Sequence, residues 1–218
     1  RRQLITVVML VLALAGGLLR WLAPDPSGAR DLGSLLMVLW LPIVGNIIGW
    51  LLQRVTGQRL DQLMSERLWG PLGAGEDGYV WADGSGAQLA SVGVGATARD
   101  LARLGEMLRL QGRFNGREVL APAVVAELRK GADPEKFKAA GQPMRAGYSY
   151  HNFWWIPHDR DGSFEAKGLN GQHLHVNPAA ELVVVKLSSH PVPNTAFTHV
   201  QDRQAFAAIA QAVRGQRS

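Results

Sequence analysis

The chain has 218 residues, 47% of them hydrophobic, which is enough to bury a core in one large domain or in one and a half ordinary ones. It contains no cysteine, which excludes disulfides and thiolate metal sites and leaves the redox compartment open. The formal charge of +5 comes from scattered basic residues, densest at Arg129-Lys130 and at Lys136 and Lys138. No basic stripe is interleaved with aromatics, so nucleic acid is not expected as a partner.

Residues 1–43 differ from the rest. Arg1-Arg2 precede an apolar run from Leu4 to Leu19, and Ala13-Leu14-Ala15 resembles a small-residue cleavage site. The run reads as a signal peptide, or as a short anchor associating with a membrane through residues 4–19, although spanning requires roughly 18 to 20 apolar residues. Periplasmic, secreted or membrane-anchored localisation follows if residues 1–23 are native, and cytoplasmic localisation otherwise. A second run, Leu35 to Leu52, follows the linker Pro24-Asp25-Pro26-Ser27-Gly28 and contains Pro42, Gly45, Asn46 and Gly49, which point to a soluble boundary there.

Residues 44–218 carry the signals of a globular domain. Ile47, Ile48, Leu51, Leu52 and Val55 recur at helical spacing, and Gly57 supplies a left-handed stop. Asp61 opens another helix, with Leu60, Leu63, Met64 and Leu68 on one face and Gly70-Pro71 as its terminator. Thr97-x-x-Asp100 is an N-terminal capping signature ahead of Leu101, Leu104 and Leu108, with the stop at Gln111-Gly112. Pro122 suits the first turn of a helix through Lys130, and Phe206, Ile209 and Val213 give a final helix its apolar face.

Three strands are expected: the aromatic stretch Tyr148 to Ile156, the alternating Gln172 to Asn177, and the apolar Leu182 to Leu187. Asn177-Pro178-Ala179-Ala180 is a tight turn that makes the last two antiparallel. An α+β domain follows, an antiparallel sheet flanked by helices.

Three groups of residues are candidates for chemistry. Gly168-Leu169-Asn170-Gly171-Gln172 frames a strand edge with glycines, where a ligand can approach the backbone closely; the bland alternative is a strand bulge. Tyr148, Tyr150, Trp154 and Trp155 are either core or the wall of an apolar pocket. His173 and His175 share one strand face, and with His151 and His158 they make a metal-dependent hydrolase a formal rival. No His-Glu-x-x-His helix accompanies them and no nearby carboxylate is obvious. Strand histidines are more often exposed than ligating, so neither a metal nor another cofactor is expected.

From about Gly45 to Val213 the chain resembles serine hydrolases of the class C β-lactamase superfamily, especially the 6-aminohexanoate-dimer hydrolases and β-lactamase-like esterases. The segments that carry the resemblance are Asn46-Ile47-Ile48-Gly49-Trp50 with Arg54-Val55-Thr56-Gly57, Ser65-Glu66-Arg67-Leu68-Trp69, and Thr97 to Gly105. Further on they are Gly147-Tyr148-Ser149-Tyr150 with Trp154-Trp155, Gly168 to Gln172, and Val185-Lys186-Leu187-Ser188-Ser189. The resemblance implies a β-lactamase/transpeptidase-like fold and an acyl-enzyme reaction on a small-molecule amide or ester. In that reaction a Ser-x-x-Lys serine attacks the carbonyl, the lysine one helical turn on handles its proton, a tyrosine assists, and backbone N–H groups hold the oxyanion. It also implies that Gly168, Leu169, Asn170, Gly171 and Gln172, with Tyr148 and Trp155, line the substrate side.

Catalysis itself is not legible in the chain. No serine is followed three positions later by lysine, and Trp40 occupies the position where the resemblance implies the assisting tyrosine. Residues before Gly45 are too few and too apolar to make the family's N-terminal catalytic lobe. The expectation is therefore an incomplete, catalytically incompetent hydrolase, truncated or frame-shifted before about Ile43. The rival expectation is a membrane-tethered binding module that does no chemistry.

Overall fold

The structure, a computed structural model, describes residues 32–138, 145–192 and 196–216, with side chains in the first helix from Ile43 onward. The apolar run 4–19, the cleavage-like Ala13-Leu14-Ala15 and the linker Pro24 to Gly28 lie outside the described residues. Among the described residues no helix is long and apolar enough to cross a membrane. The chain divides into two compact units.

One unit comprises the described part of Arg1–Glu66 together with Gly78–Gly95. Helix α1 spans Leu32–Thr56 without a break, so the boundary expected at Pro42, Gly45, Asn46 and Gly49 is not one. The reason is packing. Gly45 and Gly49 lie against Ser91 and Ala90 with no room for a side chain, and Asn46 Oδ1 accepts from Ala90 N–H at 2.9 Å. Residues that weaken an isolated helix here let its backbone come close to a neighbouring segment. The helix ends as expected at Gly57 (φ +68°), whose N–H reaches the Gln53 carbonyl at 3.0 Å.

Helix α2 (Leu60–Met64) follows, with Gln62 Oε1 accepting from Arg59 N–H at 3.2 Å, and it runs on into a π-helical turn, Ser65–Trp69. The unit is completed by strands β1 (Tyr79–Val80) and β2 (Val94–Gly95), paired antiparallel. Between them Asp83 Oδ1 gathers Ser85 N–H, Ser85 Oγ and Ala87 N–H into a tight turn.

The second unit comprises Arg67–Asp77 and Ala96–Ser218. Its first piece, helix α3 (Gly70–Leu72), contains the Gly70-Pro71 pair expected to stop the chain; the stop is Gly73 instead, at φ +63°. Proline is tolerated in a first turn, where its missing N–H has no helical partner anyway. Helix α4 (Ala98–Arg109) starts at Thr97, whose Oγ1 accepts from Asp100 N–H at 3.2 Å, and stops before Gln111 (φ +58°) and Gly112 (φ +88°). A small hairpin, β3 (Arg113–Phe114) with β4 (Arg117–Glu118), leads to helices α5 (Pro122–Lys130) and α6 (Pro134–Lys138).

The sheet has five antiparallel strands in simple chain order: β5 (Ser149–His151), β6 (Trp154–Ile156), β7 (Phe164–Lys167), β8 (His173–Asn177) and β9 (Leu182–Lys186). Two features depart from the three expected strands. The stretch Tyr148 to Ile156 is a hairpin rather than one strand, because Asn152 (φ +49°) and Phe153 (φ +66°) both turn left-handed. Strand β7 is an addition. The β8–β9 turn is as expected, with Asn177 Oδ1 accepting from Ala180 N–H at 2.9 Å.

Both faces of β8 are covered. Leu174 and Val176 face α4, where Gly105 allows the closest approach: a Cβ there would stand 2.9 Å from Leu174 Cδ1 and 2.6 Å from Val183 Cγ1. Around this contact gather Met107, Leu108, Val125, Leu128, Ile156 and Phe164, the main apolar core. His173 and His175 face helix α7 (His199–Gly215), with Phe206 at 4.9 and 5.0 Å from their rings. Phe206 and Ala210 are the buried residues of that helix face; Ile209, expected beside them, is exposed.

Candidate functional site

Gly168 to Gln172 precedes strand β8 rather than lying on it. Gly168 is extended, and Leu169–Gly171 make a single 3-10 turn whose centre, Asn170, is left-handed at φ +58°, ψ +22°. Gly171 follows at φ +89°. Gly168 N–H donates to the Gln172 carbonyl at 3.0 Å, which closes the loop between β7 and β8.

A clamp holds this turn to the segment after β9. The Gln172 side-chain amide donates to the Ser188 carbonyl at 2.5 Å and accepts from Ser188 N–H at 3.1 Å. Asn170 Nδ2 donates to the His190 carbonyl at 2.7 Å, and His190 N–H returns a bond to the Asn170 carbonyl at 3.2 Å. Gly171 is buried beneath Ser188 and His190; a Cβ there would meet His190 Cδ2 at 2.8 Å. Both polar side chains of the motif are thus spent on the clamp. What the turn offers outward is its backbone and the exposed side chain of Leu169.

From sequence Ser188 enters only within the resembling segment Val185 to Ser189, with no role assigned, and His190 does not enter at all. Nothing in their spacing marks them, since their partners lie 16 and 20 residues earlier.

The two strands that flank the turn, β7 and β8, carry a buried ionic cluster. Glu165 on β7, fully buried, meets Lys167 Nζ at 2.8 Å, His175 Nδ1 at 3.1 Å and His173 Nε2 at 3.4 Å. Burial pushes its carboxyl up, but the two histidines and Lys167 outweigh that and hold it well below the usual carboxylate range. Lys167 Nζ also lies 3.1 Å from His199 Nδ1 on α7. Burial, reinforced by the Lys167 charge, brings His199 down to about 4, so its neutral Nδ1 can accept from the ammonium. Asp202 pairs with Lys186 at 2.6 Å and stands 3.8 Å from His173 Nδ1.

His173 and His175 are therefore buried, not exposed as expected from their strand pattern, and the missing carboxylate is Glu165, on the strand the sequence reading overlooked. His158 is committed elsewhere: its Nε2 lies 2.7 Å from Ser149 Oγ. Ser149 is fully buried and its Oγ also accepts from Ala132 N–H at 2.9 Å, which makes the pair a latch between β5 and the end of α5. His151 lies 3.3 Å from Glu127. Among the described residues no group of three or more His, Asp or Glu is placed to hold a metal ion.

The aromatics expected near the substrate are interior. Trp155 is boxed by Tyr150 at 4.8 Å and Phe137 at 5.6 Å, with the Arg145 guanidinium 4.0 Å from its ring. Tyr148 stands edge-on to His199 at 5.3 Å, and burial together with the nearby Glu165 charge raises its phenol, which stays protonated. Trp40 falls within α1, but its side chain lies outside the described residues.

The Beta-lactamase family model matches residues 43–209, well over half of the sequence. The chain belongs to the Beta-lactamase family. Among family relatives it is 35% identical over 156 residues to the 6-aminohexanoate-dimer hydrolase of Paenarthrobacter ureafaciens, a match covering 71% of this chain and 40% of the relative. A solved structure described as a 6-aminohexanoate-dimer hydrolase from Bacillus anthracis superposes with a TM-score of 0.69 at 34% identity, covering 78% of this chain and 42% of the other. Unliganded simvastatin synthase from Aspergillus terreus shares the fold at a TM-score of 0.61 and 18% identity, over 78% of this chain and 53% of its own. The family member described here thus spans less than half the length of these two hydrolases.

Proposed function

We propose that the turn Gly168–Gln172 and its clamp at Ser188 and His190 form the substrate-side edge of an acyl-transfer site for a small amide or ester. We further propose that this chain, having no Ser-x-x-Lys, is not itself acylated. The observation that carries the reading is the disposal of the motif's polar side chains. Asn170 and Gln172 are tied back to His190 and Ser188, and the exposed Gly168 has no side chain, so the turn offers a ligand backbone beside the Leu169 side chain. A preorganised backbone edge suits a carbonyl substrate, because N–H groups fixed by a clamp need no reorganisation when charge develops on the carbonyl oxygen. Membership of the Beta-lactamase family and the likeness to 6-aminohexanoate-dimer hydrolases support amide or ester as the class.

The test is binding without turnover. The linear dimer of 6-aminohexanoate, titrated into the full chain, is expected to shift the backbone amide resonances of Leu169 to Gln172 and to remain intact. Unmoved resonances would remove the substrate edge. Covalent labelling of the purified chain by a fluorophosphonate would instead show a nucleophile and overturn the second half of the proposal.

A further inference from the structure

Three strands meet the proposed edge at a single row of the sheet. Lys167 ends β7, His173 begins β8 and Lys186 ends β9, and the register sets Lys167 opposite His173 and His173 opposite Lys186. The chain that departs from this row builds the edge and its clamp: Gly168 follows Lys167, Gln172 precedes His173, and Ser188 stands just beyond Lys186 and Leu187. All three side chains of the row lie on the face that α7 covers. Two ammonium groups flanking a buried imidazole need counter-charges, because a buried cation without one is costly. Glu165, part of the sheet itself, supplies the first, at 2.8 Å from Lys167 and 3.4 Å from His173. Asp202 supplies the second, at 2.6 Å from Lys186 and 3.8 Å from His173, and it reaches the row only from α7. Among the described residues no other carboxylate pairs with Lys186.

We infer that Asp202 is a positioning residue for the substrate edge. From helix α7 it fixes the strand ends that carry Gln172 and Ser188, the two halves of the clamp. The inference rests on the proposed function, since it names what sets the geometry of that edge. Asp202 is itself aimed: Thr198 Oγ1, at the start of the helix, donates to its Oδ2 at 3.0 Å. One helical turn earlier, His199 takes up Lys167 at 3.1 Å, so the same face of α7 reaches all three members of the row. The whole arrangement lies within the second unit. Helix α7 is also paired at its other end, where Arg214 meets Asp161 at 2.6 Å, but Asp161 is held there by Asn177, at the end of β8 away from the turn. A helix that merely stabilised the sheet would act on the edge equally through both contacts. A positioning contact acts through Asp202 and not through Asp161.

The experiment follows amide resonances of the full chain, first without ligand and then with the linear dimer of 6-aminohexanoate. Asp202→Asn keeps the side-chain volume and removes the charge. Without ligand it is expected to shift the Gln172 side-chain amide and the Ser188 N–H, and to speed hydrogen exchange at Ser188. With ligand it should weaken binding about tenfold, because an edge no longer held in place must be ordered on binding. Asp202→Glu should recover most of both effects. Asp161→Asn should lower the urea midpoint while leaving Gln172, Ser188 and the affinity unchanged. Lys186→Gln, on a partly exposed side chain, tests the same pair even where Asp202→Asn fails to fold. Resonances of Gln172 and Ser188 that respond to neither change overturn the inference. So does an equal response to Asp161→Asn, or an affinity that survives loss of the pair. The two proposals fail separately. If the dimer shifts nothing in the unaltered chain while Asp202→Asn still disturbs Gln172 and Ser188, the substrate edge falls and the positioning contact stands. If the dimer binds both chains alike, the reverse holds.

Discussion

The side-chain amide of Gln172 pairs with the backbone of Ser188 as a strand would, donating to its carbonyl at 2.5 Å and accepting from its N–H at 3.1 Å. The ladder between β8 and β9 ends at His173 and Lys186, so this pair extends it by one rung made from a side chain. Gln172→Ala leaves both Ser188 groups without that partner and should cost about 1–3 kcal/mol in urea unfolding. Gln172→Glu should be no better, since a carboxylate oxygen would then face the Ser188 carbonyl.

Gly171→Ala tests the turn itself. Any residue with a Cβ is strained at φ +89°, by about 1–2 kcal/mol, and here it would also press on Ser188 and His190. Gly116 is left-handed too, at φ +71°, with open space around it. The urea midpoint should therefore fall further for Gly171→Ala than for Gly116→Ala, and equal losses would mean that the clamp yields freely.

Stability should fall as the solution is acidified from about pH 6.5 to about pH 4. His199 is held down to about 4 from the ordinary value of 6.5, so across that interval the unfolded chain takes up a proton that the folded chain refuses. The contribution is fully present above 6.5 and is lost on descent to 4. His173, also lowered by burial, acts in the same direction. A series of thermal midpoints against pH should flatten over this interval in His199→Gln.

Glu165→Gln keeps the side-chain volume and removes the charge that Lys167 meets at 2.8 Å and Arg203 at 3.6 Å. A buried cation left without its counter-charge typically costs about 3–5 kcal/mol, and the loss should appear as a lower urea midpoint. Replacing Lys167 by Met in the same chain should restore part of it, as the double-mutant cycle for a direct pair requires.

Punctuation by local chemistry was legible in the sequence. Gly57, the Thr97 cap, Pro122 at a first turn and the Asn177-Pro178 turn each announce themselves through a residue that only one backbone geometry suits. The hairpin at Asn152-Phe153 was not, because a left-handed phenylalanine contradicts its own preference and the surrounding sheet imposes it. Strand β7 is four residues long, and its alternation of Phe164 and Ala166 against Glu165 and Lys167 is too brief to stand out beside Gly168. Missing β7 meant missing Glu165, and with it the reason two histidines can be buried side by side. In the site, the glycines of 168–172 were legible as a backbone device. The destinations of Asn170 and Gln172 were not, because a side-chain amide carries no signal of which distant carbonyl it will reach.

The five-stranded sheet pairs every strand with its neighbour in the chain, across connections that run from Asn152-Phe153 at the shortest to Pro157 through Ser163 at the longest. Closing such short loops is entropically cheap, and hairpins of this size form in about 1–10 μs. The sheet can therefore zip up one strand at a time, each finished edge templating the next, as the polypeptide leaves the ribosome. Helix α7 follows all five strands in the chain, so the surface bearing His173, His175 and Glu165 is synthesised before the helix whose Phe206 covers it.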